Sequence, residues 1–244
     1  MFRQNAGGAT YGGPVFWESA YSGSPYNMGA NSHFIQTILA ATSYNANGIG
    51  PKMGSWIVSS TNASNSVVAN NGMPLTKTTS LVGSGADTTN SYTYLINDSA
   101  SGAADYGEVL IYTGELTTAQ RQNVEGYLAW KWGLQFSLPP THPYHPYYNK
   151  SRSIPPPVPL NNDVVPWVWY DADDPTTITA NNYTLTGWQN KGTAGSSAGG
   201  TITGTVNTGN TSINGRNVIT FNTNSLFTTP SFYFFTLIKT SDVW

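Results

Sequence analysis

The chain has 244 residues, a formal net charge of −2, 9% charged residues, 13% aromatic residues and no cysteine. That length allows one large β-domain or two small ones, and the missing cysteine excludes disulfides and thiolate zinc sites. The ten Lys and Arg are scattered singly and no apolar run reaches about 18 residues, so neither nucleic acid nor a membrane span is expected.

Residues 1–14 lack the apolar stretch of a signal peptide, and residues 1–33 are rich in turn formers. His33–Ala41 is apolar enough for a strand. Tyr44, Asn45 and Asn47 follow in an Asn/Gly loop. A ring for the apolar face of a sugar and amides for its hydroxyls make these three candidate glycan contacts. Ser55–Ser60 predicts a strand, and so does Ser66–Ala69. Asn70-Asn71-Gly72 is a tight-turn signal because Asn and Gly accept positive φ, so Leu75–Val82 is predicted to return as a hairpin partner. Tyr92–Ile96 alternates, and Gly107–Thr113 (GEVLIYT) is the strongest strand signal of this half. Short strands between turn signals predict an antiparallel β-sandwich.

One helix interrupts this rhythm, predicted over about 117–132. Thr117 and Gln120 stand at capping-box spacing. Val124, Leu128 and Trp132 fall on one stripe, with Tyr127 beside them, and Gly133 stands where a C′ glycine ends a helix. A lone helix needs its apolar stripe docked on something, so Trp130 and Trp132 read as anchors. Trp130 points away from the stripe and is expected to cover an edge. The tail L-P-P-T-H-P-Y-H-P-Y-Y is predicted to be extended and stiff, because proline fixes φ. His142 and His145, three apart and each followed by proline, have no third ligand in view and are not expected to bind metal.

From Glu108 the sequence E-V-L-I-Y-T-G-E-L-T-T-A-Q-R-Q-N-V-E-G-Y-L-A-W-K-W-G-L, followed by H-P-Y, resembles the end of a concanavalin A-like (laminin-G-like) jelly-roll module. Such modules are found in large proteins of giant DNA viruses, phages and environmental microbes. The resemblance covers roughly residues 105–147. The Pro-rich stretch 149–165 follows and reads as a linker. Beyond it, W-V-W-Y-D-A-D-D-P, G-W-Q-N-K-G and I-N-G-R-N-V-I-T-F-N look like the opening of the same kind of module. Trp169, Asp171, Ala172, Asp174, Pro175, Trp188, Lys191, Gly192, Asn214, Gly215 and Phe221 hold the motif positions, and Asn190 stands where an Asp is usual.

The ending therefore precedes the opening. This order predicts a slice of a tandem array: residues 1–148 close one module and residues 166–244 open the next. The alternative is that 166–244 is the complementary half of one circularly permuted module. In the first case neither Met1 nor Trp244 is a true terminus.

The fold class implied is all-β, an antiparallel concanavalin A-like jelly roll with one accessory helix. Glycanases related to this sandwich carry paired acids two residues apart on one strand. Here Glu18, Glu108, Glu115 and Glu125 form no E-x-D-x-E pattern, and there is no nucleophile elbow, P-loop or dinucleotide fingerprint, so no enzyme is expected. Asp171, Asp173 and Asp174 present three carboxylates within four residues. They are the one candidate cation site, for Ca²⁺. Their other role would be to accept backbone N–H bonds and fix the turn before Pro175. The expected function is a structural and adhesive segment of a virion or extracellular surface protein, partnered by neighbouring copies or other proteins of the assembly. The alternative is a lectin-like module that binds surface glycans.

Overall fold

A computed structural model describes residues 2–4, 16–19, 53–57, 67–74, 91–96, 104–112, 116–148, 165–222, 224–229 and 232–233. The first strands are β1 (Phe2–Gln4), β2 (Phe16–Ser19), β3 (Gly54–Ile57), β4 (Val67–Asn70) and β5 (Met73–Pro74). They are followed by β6 (Ser91–Ile96), β7 (Ala104–Tyr106) and β8 (Glu108–Ile111), then α1 (Thr118–Lys131). After the Pro-rich stretch come β9 (Val168–Asp171), β10 (Ile178–Asn181), β11 (Thr184–Trp188) and β12 (Thr201–Thr203). The last are β13 (Val206–Ile213), β14 (Arg216–Phe221), β15 (Leu226–Thr228) and β16 (Phe232–Tyr233).

Among the described residues the chain is thus all-β with one α-helix, and the strand pairings are antiparallel. A six-stranded sheet has the order β1-β7-β14-β13-β11-β10. A second sheet runs β12-β15-β6-β16, with β2 also on β6. β3-β4-β5 and β8-β9 form smaller sheets. Strands from either side of residues 149–164 are neighbours: β7 lies beside β14, β8 beside β9, and β6 beside β15.

Turn chemistry fixes the hairpins. Asn71 and Gly72 have φ of 49° and 77°, and Asn214 and Gly215 have 51° and 78°. Positive φ at both central residues is the tight-turn geometry whose twist matches the flanking strands. The hairpin predicted at Asn70–Gly72 forms, but the longer partner of β4 is β3, and the described part of the returning strand is Met73–Pro74. The strands predicted at Leu75–Val82 and His33–Ala41 lie outside the described residues, as do Tyr44, Asn45 and Asn47.

The segment GEVLIYT is read differently by the fold. It is preceded by β7 and continues as β8, and the chain changes sheets at Gly107. A Cβ on Gly107 would lie 2.6 Å from the Trp132 ring, so the indole takes the space a side chain would need. The Gly107 carbonyl accepts from the Ala172 amide at 2.9 Å, which holds the crossing point to the end of β9.

Period-two alternation along β8, β9 and β14 sorts side chains onto two faces. Val109, Ile111, Val168, Tyr170, Ile219 and Phe221 face one core, joined by Trp188 and Phe227. Leu110, Trp169 and Val218 face the other, which α1 covers with Val124, Tyr127, Leu128 and Trp132. Removing this apolar area from water at about 25 cal/mol per Å² holds the helix on the sheet.

Helix α1 starts and stops as the sequence predicts. The Thr117 amide donates to Gln120 Oε1 at 2.9 Å, and the Gln120 amide donates to Thr117 Oγ1 at 3.3 Å. Gly133, at φ 72°, takes the left-handed position after Trp132, and the Leu134 amide returns to the Ala129 carbonyl at 2.7 Å. This is the six-to-one bond of a glycine-terminated helix.

The tail corrects the extended expectation. Proline at each third position favours turns here, because each histidine supplies the closing acceptor. His142 Nδ1 accepts from the Tyr144 amide and His145 Nδ1 from the Tyr147 amide, both at 3.2 Å. The amides of His142, His145 and Tyr148 close successive turns onto the carbonyls of Pro139, His142 and His145.

Candidate functional site

Register places two carboxylates in opposition. Glu108 and Asp171 are directly paired across β8 and β9. Like charges opposite one another destabilise a strand pair. Lys131, in the last helical turn, resolves the conflict: Nζ lies 3.0 Å from Glu108 Oε2 and 2.7 Å from Asp171 Oδ1. The lysine reaches this point because the capped helix runs over the ribbon and ends there.

Glu108 is 1% exposed and is satisfied from several sides. Trp169 Nε1 and the Tyr127 hydroxyl donate to Oε1 at 2.6 and 2.9 Å, and Trp132 Nε1 donates to Oε2 at 3.0 Å. A buried carboxylate needs such donors, since an unpaired one costs several kcal/mol. Burial, and then the Glu108 charge, push the Tyr127 hydroxyl well above the usual phenol range.

The network extends outward from Asp171. Lys191 Nζ contacts Asp171 Oδ2 at 3.1 Å and Asp174 Oδ2 at 2.7 Å, and lies 4.3 Å from the centre of the Trp169 ring. The hydrogen bond from Lys191, helped by Thr176, holds the Asp174 carboxyl down to about 2. Burial works against the Lys191 charge, but the bond to Asp174 and the charge of Asp171 outweigh it, so the lysine is raised. Arg216 pairs through Nη1 with Asp173 and through Nε with the Lys131 carbonyl. The Asn217 amide donates to Asp173 Oδ1 at 3.1 Å. Asn214 donates to the Trp132 carbonyl, so the β13–β14 turn caps the helix end.

The three aspartates therefore divide their work. Asp171 and Asp174 each accept a backbone amide at 3.1 Å, from Asp173 and Thr176, and fix the turn before Pro175. Asp173 ties that turn to β14. Among the described residues no group of three or more His, Asp or Glu side chains is arranged to hold a metal ion. Each of the three carboxylates faces a lysine or arginine instead.

The other motif residues have structural partners too. Trp130 Nε1 donates to the Tyr144 carbonyl at 2.9 Å, so this ring holds the turn-rich tail. His142 Nδ1 is an acceptor, so Nε2 carries the hydrogen and donates to Glu125 Oε2 at 3.2 Å, while Arg121 Nη1 pairs with Glu125 Oε1 at 2.6 Å. Asn190 Oδ1 accepts from the Trp169 and Gly192 amides, while Nδ2 donates to the Gly195 carbonyl at 3.0 Å. A carboxylate could not make that last bond, which explains the amide at this position. Trp188 packs in the other core, where its Nε1 has no hydrogen-bond partner among the described residues.

Phe136, Tyr147 and Tyr148 are more than half exposed. Phe136 and Tyr147 have ring centres 5.7 Å apart, and His145 lies 6.4 and 5.5 Å from them.

Sequence reasoning singled out Asp171, Trp132 and Trp169 one by one but missed Glu108, Lys131 and Arg216 as partners in this cluster. One local signal was present for Glu108, a single charge at the head of the most apolar strand. No family model matches the chain, and no characterised protein or solved structure matches it either. No helix among the described residues is long and apolar enough to cross a membrane.

Proposed function

We propose that the chain is a non-enzymatic structural and adhesive segment of a virion or extracellular surface assembly, built on a concanavalin A-like jelly roll. The observation that carries this reading is the use of the motif charges. Glu108, Lys131, Asp171, Asp173, Asp174, Lys191 and Arg216 bind one another and join residues 104–134 to residues 166–221. Side chains spent on holding two segments together suit load bearing. The pairing of strands across the Pro-rich stretch supports reading these segments as complementary parts of one module. Partners would then be neighbouring copies or other proteins of the assembly. Antibodies against the chain should label the outer surface of the particle or cell that makes it. Label confined to the interior would refute the proposal.

A second reading, glycan binding, is favoured by the exposed rings of Phe136, Tyr147 and Tyr148. Their exposed area is on the order of 350 Å², given the size of aromatic side chains. That is below the ~800 Å² per partner of a stable protein interface and suits a few sugar rings. A glycan array should give hits that F136A and Y147A abolish. An array without hits, or hits untouched by both substitutions, removes this reading.

A further inference from the structure

We propose that Lys131 and Asp171 are joined by an intramolecular amide bond, formed spontaneously in the folded chain with Glu108 as the proton carrier. The inference is independent of the surface role argued above and rests on three side chains.

Their geometry is that of an amide-forming triad. Lys131 Nζ lies 2.7 Å from Asp171 Oδ1 and 3.0 Å from Glu108 Oε2. The lysine side chain is 12% exposed, the aspartate 6% and the glutamate 0%. Aromatic rings wall the site: Lys131 Nζ lies 5.6 Å from the centre of Tyr127 and 5.5 Å from that of Trp132. Trp169 and Tyr127 hold the carboxylate through Oε1 and Trp132 holds Oε2, the oxygen that also meets the lysine.

The step balances without a co-reactant. The Lys131 ammonium gives one proton directly to Asp171 Oδ1, and the lone pair so freed on the neutral amine attacks Asp171 Cγ. As the N–C bond forms, the nitrogen gives a second proton to Glu108 Oε2. Glu108 returns its proton to the departing oxygen, the Cγ–Oδ1 bond breaks, and one water leaves. Glu108 ends as it began. Oδ2 becomes the amide carbonyl, and Lys191, 3.1 Å away, sits where it steadies the negative charge that gathers there during attack. Lys191 is not itself the nucleophile, because its closer partner is Asp174 at 2.7 Å and Glu108 lies on Lys131.

Two physical terms favour the reaction. Holding amine and carboxyl in contact replaces a bimolecular encounter, worth effective molarities on the order of 10⁵ M or more. Turning two buried ions into a neutral amide also removes their desolvation cost. The bond would tie helix α1 to strand β9 across 40 residues of sequence separation in a chain without cysteine.

The test is the intact mass of the full chain under denaturing conditions. The expected value is one water, about 18 Da, below the sequence mass. A tryptic digest should contain one branched peptide joining residues 122–150 to residues 153–191, with no cleavage after Lys131. K131R keeps a cation between the carboxylates but cannot form the bond, and it should show full mass, with circular dichroism confirming that it folds. E108Q should also remain at full mass. Full mass for the unaltered chain overturns the proposal. So does a lost water that persists in K131R, or one restored by mild base, which marks a cyclic imide. A lighter E108Q overturns the role given to Glu108.

Discussion

The two faces of the β8–β9 ribbon are held by different physics. On one, Tyr170, Trp188 and Phe227 pack with ring centres 5.0 to 5.7 Å apart in a core of apolar side chains. On the other, beneath α1, indoles and a phenol surround Glu108, Lys131 and Asp171. The aromatic core contributes area, which many side-chain combinations supply. The ion network contributes register: Glu108 must face Asp171, and the helix must end where Lys131 reaches both. A packed core specifies that segments meet, and a satisfied polar cluster specifies how.

The sharpest way to break this contrast is K131M, which removes the cation lying between the two opposed carboxylates and leaves Lys191 on the far oxygen of Asp171. We expect a loss of about 3–5 kcal/mol in urea unfolding. A smaller loss than from any substitution in the aromatic core would show that the network does not set stability. Next are the two buried tryptophans. W132F removes a donor from Glu108 as well as volume, for an expected cost of about 2–4 kcal/mol, whereas W188F removes an N–H that has no partner among the described residues, for about 1–2 kcal/mol. Equal costs would mean that the Glu108 bond contributes nothing. G107A forces a methyl group against the Trp132 ring and should cost about 1–3 kcal/mol, read as a fall in Tm.

The smallest effect lies at the rim. The Asp174 carboxyl sits at about 2, below its ordinary value of 3.8, so its bond to Lys191 stabilises the fold above about pH 4 and is lost as pH falls toward 2. D174N should therefore melt below the unaltered chain at pH 7 and together with it near pH 2. A gap that stays constant across this range would assign the effect to something other than the carboxylate charge.

Local features were legible in the sequence because their causes are local. Thr117 and Gln120 cap the helix, Gly133 ends it, and Asn71-Gly72 turns β4 into β5, each through bonds within a few residues. The tail shows where local reading misleads. Proline implied extension, but the histidine rings offered acceptors that close successive turns. The strand at Gly107 shows the same limit from the other side. The apolar run after Glu108 gave no hint that an indole 25 residues beyond Gly107 would claim the space above that glycine.

The antiparallel class and the helix with its ends were determined by sequence alone, through periodicity, capping and turn chemistry, and Trp169, Asp171 and Lys191 stood out there only as single residues. Their meaning was decided by tertiary structure. Glu108 and Trp169 stand 61 residues apart, Lys131 and Asp171 stand 40 apart, and Arg216 reaches the Lys131 carbonyl across 85. Electrostatic attraction acts through space, so no pattern along the chain announces which lysine neutralises which carboxylate until the strands have paired and the helix has docked.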